Sequence, residues 1–201
     1  MSNLQQNRII SFKNNDIELS TIPKIVNIEP TNLCQFDCIM CSRKDIGNYW
    51  EMSLDFLKQI LEKNKDSFLN QSTWFELAWE PLLHSNIWEF IKISKKYIRK
   101  AKIITNWVLL KEKGIELINS WLDEIIVSVD SLNNKNFLEI KNPKVDFTLD
   151  TLFENIIYFN KINNDKVSLK IQFINFSDNL DEDDIILKWH SFFQNYGLIK
   201  A

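Results

Sequence analysis

The stretch Asn27 to Lys44 reads NIEPTNLCQFDCIMCSRK and spaces Cys34, Cys38 and Cys41 as C-x3-C-x2-C, directly after the aliphatic run Ile25 to Ile28. That run has the β-branched character of a strand, so the cysteines fall on the loop that leaves it. Three thiolates on one short loop can ligate three corners of a cubane and leave the fourth iron without a protein ligand. Three other readings compete. Structural zinc takes four ligands, but the chain has no fourth cysteine, and His84 and His190 are distant in sequence. A ferredoxin cluster also needs a fourth cysteine. Three unrelated buried cysteines would share this spacing by coincidence.

Outward from the loop, aliphatic runs alternate with segments of helical period, the pattern of βα units around a parallel sheet. The strands are expected at Ile25 to Ile28, Trp74 to Ala78, Ile103 to Thr105, Glu124 to Val129 and Val167 to Ile174. Helices are expected at Leu54 to Lys63 behind an N-cap Ser53, from a cap at Ser85 to Arg99, at Leu109 to Trp121 despite Gly114, at Leu149 to Ile162, and at Asp181 to Tyr196. Asp181, Glu182, Asp183 and Asp184 complement the dipole of that last helix rather than form a metal site. Ile9 to Phe12 and Ile17 to Leu19 suggest an edge hairpin. The count is five strand-helix units, with Leu198 and Ile199 standing where a sixth strand should begin.

The bulk composition narrows the class. A chain of 201 residues, 45% hydrophobic, can bury one sizeable core. A net charge of -3, with basic and acidic residues interspersed, leaves no electrostatic footprint for nucleic acid. No apolar stretch is long enough to span a membrane, and the polar N-terminus does not read as a signal peptide, so the expectation is a cytoplasmic protein. Three glycines against seven tryptophans is a departure, since glycine usually makes up ~7% of a chain.

The cysteine loop resembles the cluster-binding loop of the radical S-adenosylmethionine (radical SAM) superfamily, and its Met40-Cys41 ending is similar to members that carry an additional C-terminal cluster domain of the SPASM type. Further matches come in the family's order: Glu80-Pro81-Leu82-Leu83-His84, Thr105-Asn106 with Val108-Leu109-Leu110, and Ser128-Val129-Asp130-Ser131. The resemblance covers about residues 23 to 198. It implies an α/β fold, a partial (β/α)6 TIM-like barrel truncated after the fifth βα unit. Residues 1–22 would form an N-terminal extension and 23–201 the core domain, lacking the sixth strand and any C-terminal cluster domain.

The resemblance also implies a [4Fe-4S] cluster on Cys34, Cys38 and Cys41, with S-adenosyl-L-methionine (SAM) on its open iron. Met40 would lie against the adenine. Trp79, Glu80, Asn106, Ser128 and Asp130 would line the SAM site, and Gln172, polar between apolar neighbours on the fifth strand, is placed to face the cofactor. The implied reaction is reductive cleavage of SAM to a 5′-deoxyadenosyl radical that takes hydrogen from a substrate, a peptide or a small molecule. The electron would come from a donor such as flavodoxin or ferredoxin. No nucleic-acid or membrane partner is expected.

Read without the resemblance, Glu80 is a loop acid, Asn106 a turn residue, Asp130 a helix cap and His84 a capping or surface residue. Glu29 divides between a buried hydrogen-bonding role and a substrate role. Ala78-Trp79 and Trp107 stand where family members have glycine, and Trp50 is a third such replacement. A tryptophan cannot reproduce glycine's positive φ without strain, and its indole would project toward the SAM site. A silent cluster-binding scaffold is therefore the alternative to an enzyme.

Overall fold

The computed structural model describes residues 23–42, 48–174 and 185–195. The expected hairpin within residues 1–22, the acidic run 181–184 and the sixth-strand residues Leu198 and Ile199 lie outside these. Four strands, β1 (Ser72–Trp74), β2 (Lys100–Thr105), β3 (Glu124–Ser128) and β4 (Ser168–Gln172), form one wholly parallel sheet in the order β1-β2-β3-β4. The run at 25–28 docks on the free side of β1: Asn27 bridges Trp74 in parallel, with Ile28 N–H on Trp74 O at 2.9 Å and Trp74 N–H on Val26 O at 2.9 Å. Five parallel segments thus follow one another in chain order, as a βα barrel wall requires.

The crossovers are helical: α1 (Leu54–Lys63) with its short continuation α2 (Lys65–Phe68), α3 (Ile87–Ser94), α4 (Leu110–Ile118), α5 (Asn134–Lys141) and α6 (Leu149–Asn163), with α7 (Ile185–Asn195) after β4. Among the described residues no helix is long and apolar enough to cross a membrane. Ser53 caps α1 as expected, its Oγ accepting from Phe56 N–H at 3.2 Å, and Thr148 caps α6. Leu57, Leu61, Phe75, Phe90, Ile103, Ile125, Val127 and Phe159 are buried between sheet and helices. Gly114 is tolerated within α4 because α6 passes close: a Cβ there would meet Phe159 Cδ2 at 3.2 Å.

The boundaries move where polar residues conceal a strand or a helix. β1 starts two residues early and stops at Trp74, because Thr73 is fully buried while the chain from Glu76 leaves the ladder and Leu77 reaches solvent. β2 starts at Lys100 rather than Ile103. Lys102 is accommodated by Glu124 Oε1 at 3.0 Å and by the Trp74 ring at 4.7 Å, and Lys170 holds the other oxygen of Glu124 at 2.5 Å. Asn86, not Ser85, occupies the N-cap position of α3, and the Ser85 N–H is taken by the Glu51 carboxylate at 2.9 Å. That helix ends at Ser94, five residues before Arg99.

α5 is an element the sequence pattern did not predict. Its signal is a pair of asparagines: Asn133 accepts from the N–H groups of Lys135 and Asn136, and Asn142 closes the helix in the left-handed conformation. Phe137 and Ile140 bury the face between them.

Candidate functional site

The cysteine loop is held on both flanks by side chains and strand-like pairing. On its N-terminal side, buried Thr31 donates to Trp50 O at 2.8 Å. Asn32 clasps the same turn, donating to Asn48 O at 2.7 Å and accepting the Trp50 N–H at 2.7 Å. Beyond Cys34 the chain pairs with the end of α5: Asp37 N–H on Asn142 O at 3.1 Å, Ile39 N–H on Ile140 O at 2.9 Å, and Lys144 N–H on Gln35 O at 2.9 Å. Phe36, fully buried against Phe137 and Phe147, anchors the pairing. Sequence reasoning passed over Thr31 and Asn32, whose only signal is a pair of small polar residues ahead of the first cysteine.

In front of the loop lies a cavity of about 330 Å³ at the carboxyl ends of the strands, the end where parallel α/β barrels carry their chemistry. All ten residues expected at the site line it: Cys34, Cys38 and Cys41; Met40 at its exposed lip; Trp79 and Glu80 after β1; Asn106 after β2; Ser128 and Asp130 at the end of β3; and Gln172 at the end of β4. The three cysteines are thiols rather than disulfide partners, and each is half-buried. Among the described residues no three thiol, imidazole or carboxylate groups gather around a single metal ion. A cubane spreads its thiolates over separate corners, so a donor set dispersed along one cavity wall fits it.

Glu80 is buried rather than a solvated loop acid. One carboxylate oxygen accepts from Leu82 N–H at 3.0 Å and Thr105 Oγ at 2.7 Å, the other from Asn106 N–H at 2.6 Å. Burial outweighs these bonds and lifts its pKa to about 7. Asn106 turns its amide toward Cys34, Nδ2 to Sγ 3.8 Å, and Cys41 Sγ lies 3.7 Å from Ala78 O. On the opposite wall Asp130, at φ 64°, accepts from Ile174 N–H at 2.8 Å and pairs with Lys141, whose ammonium also reaches Ser128 Oγ at 2.8 Å. Lys141 lines the cavity and sequence reasoning missed it. Its signal is a cation on the buried face of α5, one residue after Ile140. Burial raises the Cys38 thiol and the nearby Lys141 ammonium pulls it back, leaving it above its ordinary value.

The tryptophans behave differently from one another. Trp107 has φ 77°, yet its indole turns away from the cavity, fully buried and edge-on to Phe159 at 5.5 Å, so it does not project toward the cofactor site as expected. Trp79 does line the cavity, with its indole N–H on Glu29 Oε1 at 2.7 Å. Trp50 has no positive φ. Glu29 is thus a hydrogen-bond acceptor beside the site. Its charge, added to burial, helps raise Glu76 on the cavity wall to about 7. His84 is a capping residue, closing the short 3-10 turn Pro81–Leu83, but it is not at the surface: it is buried, donating from Nε2 to Met52 O at 2.9 Å and accepting the Asn86 N–H on Nδ1.

Comparison with known proteins bears on this arrangement. A family model described as the radical SAM superfamily matches residues 28–185. The GTP 3′,8-cyclase of Staphylococcus haemolyticus is 25% identical over 183 residues, which is 76% of this chain and 54% of that protein. Among solved structures, Streptococcus suis SuiB bound to S-adenosylmethionine superposes at TM-score 0.67 and 18% identity, covering 96% of this chain and 42% of that one. The protein anSMEcpe with bound AdoMet superposes at 0.65 and 16% identity, over 88% and 49%. The chain spans about half the length of the curated relatives it matches.

Proposed function

Because this chain belongs to the radical SAM superfamily, we propose that Cys34, Cys38 and Cys41 hold a [4Fe-4S] cluster and that the cavity before them receives SAM. The observation that carries the reading is convergence: residues from the cysteine loop and from the ends of four successive strands, with Lys141 from α5, meet around one cavity. When bound, the two cofactors supply one-electron cleavage of the sulfonium C–S bond and hydrogen abstraction from a substrate.

The chain's own groups divide the labour. Glu80, already held by three donors, offers a carboxylate to the SAM ammonium, and an arriving cation favours its ionised form. Lys141 and Ser128 face it across the cavity. A lysine ammonium has three N–H donors, of which Asp130 and Ser128 take two, so the third suits the SAM carboxylate. Met40 at the lip covers the adenine, while Trp79, Asn106, Asp130 and Gln172 complete the lining and exclude water.

The Met40-Cys41 ending favours a peptide or protein substrate, and the relative named as a GTP cyclase keeps a small molecule as the alternative. Residues 23–201 serve as the core domain, behind an extension at 1–22, and flavodoxin or ferredoxin supplies the electron.

The test is anaerobic cluster reconstitution followed by SAM and dithionite. Iron and sulfide at about four each per chain, with 5′-deoxyadenosine formed, is the expected result. Cluster without 5′-deoxyadenosine supports the second reading, a silent cluster-binding scaffold, which Trp79 on the cavity wall favours. Trp79→Gly then separates a blocked enzyme, which would recover SAM cleavage, from a scaffold, which would not.

A further inference from the structure

Eight non-glycine residues among those described have positive φ. Six are asparagine or aspartate, Asn48, Asn70, Asp130, Asn142, Asn164 and Asp165, whose short polar side chains are tolerated in the left-handed region. The other two are Trp107 at 77° and Trp121 at 64°. For a bulky side chain that conformation is a genuine outlier, because Cβ crowds the following carbonyl.

The indole gives no local reason for the strain at Trp121. It is 63% exposed and sits in the turn that carries the chain from α4 into β3, in the region after a helix where glycine is the usual left-handed residue. At Trp107 the strained turn serves the site, because it follows Asn106, whose backbone N–H is on Glu80 and whose amide faces Cys34. Trp88 and Trp189, by contrast, sit within helices at ordinary φ and use their rings, Trp88 beside the Lys113 ammonium and Trp189 against Phe193.

The composition points the same way. Three glycines and seven tryptophans in 201 residues leave the chain short of the residue these turns demand and rich in the one found there. A single kind of codon reassignment would connect the two. The triplet UGA, one base from the glycine codon GGA, is a stop signal in the standard code, and variant codes read it as tryptophan or as glycine.

We infer that positions 107 and 121 are glycine in the working protein, encoded by UGA triplets that its own organism translates as glycine. At position 107 the consequence is functional, because glycine lets the turn that presents Asn106 to Glu80 and to the first cysteine form without strain. This inference does not depend on the chemistry proposed for the cavity.

The test is peptide mass mapping of the protein isolated from the organism that makes it. The tryptic peptides 103–111 and 114–135 should each be lighter than the tryptophan form by one indolylmethylene group. Tryptophan at either position overturns the inference. A second measurement uses chains made with defined residues at 121: glycine should raise the folding equilibrium constant about three-fold or more over alanine, the left-handed penalty of a Cβ outweighing glycine's extra chain entropy. Alanine equal to or better than glycine refutes the conformational argument.

Discussion

Replacing Lys141 with methionine keeps the unbranched stem of the side chain out to Cε and removes a cation paired with a carboxylate that has no water to turn to. The Lys141 side chain is 4% exposed and that of Asp130 0%. After the substitution Asp130 retains the Ile174 N–H at 2.8 Å and the Ser128 hydroxyl at 3.1 Å. Neutral donors of this kind do not offset a buried charge. Breaking such a pair from one side costs about 3–5 kcal/mol, against a total stability of about 5–15 kcal/mol for a domain. With a urea dependence of about 2 kcal/mol per molar, the unfolding midpoint of Lys141→Met should fall by about 2 M in a titration followed by circular dichroism. Adding Asp130→Asn removes the orphaned charge, and the double variant should regain most of the loss. A Lys141→Met penalty below about 1 kcal/mol, the range of an exposed ion pair, would refute the reasoning, as would a double variant no more stable than the single one.

Glu80 predicts a pH dependence of stability. Its folded-state pKa of about 7 lies above the ordinary 4.5, so the fold favours the protonated carboxyl. That stability is fully present below pH 4.5 and is lost as pH rises through 7, a fall of about 2.5 kcal/mol from this residue in urea titrations between pH 5 and 8. Glu80→Gln should remove about half the slope, since Glu76 is raised likewise, and an unchanged slope would contradict the burial argument. Cys38→Ala should drop iron and sulfide to background after reconstitution while leaving the far-ultraviolet circular dichroism intact, and a cluster retained without Cys38 would contradict its assignment as a ligand. Ser53→Ala removes the acceptor for Phe56 N–H and should cost about 1 kcal/mol in the same urea assay.

Much of the fold is legible because its signals are local. α1 and α6 carry a hydroxyl cap and an apolar stripe within a few residues, and both appear within a residue of where the pattern puts them. β3 is a nearly continuous aliphatic run because residues on both of its faces are covered, and it is found where that run lies. β2 reads three residues short because Lys100 and Lys102 look like loop residues until Glu124 and the Trp74 ring are brought beside Lys102. α5 escapes the pattern because its caps are asparagines and its buried face includes a charge, Lys141, which makes sense only when Asp130 is opposite it.

The sequence by itself determined the thiolate triad, the alternation that builds a parallel sheet, and which polar residues stand at strand ends. Each is a matter of spacing along the chain, and spacing is preserved in any fold that keeps the strands. Tertiary structure alone decided that Glu80 is buried and raised, that Lys141 joins the site, and that the Trp107 indole enters the core while that of Trp79 meets the cavity. These outcomes depend on burial and on charges brought together from separate elements. A buried charge is tolerated only where a distant residue supplies its partner, and no local pattern encodes that meeting.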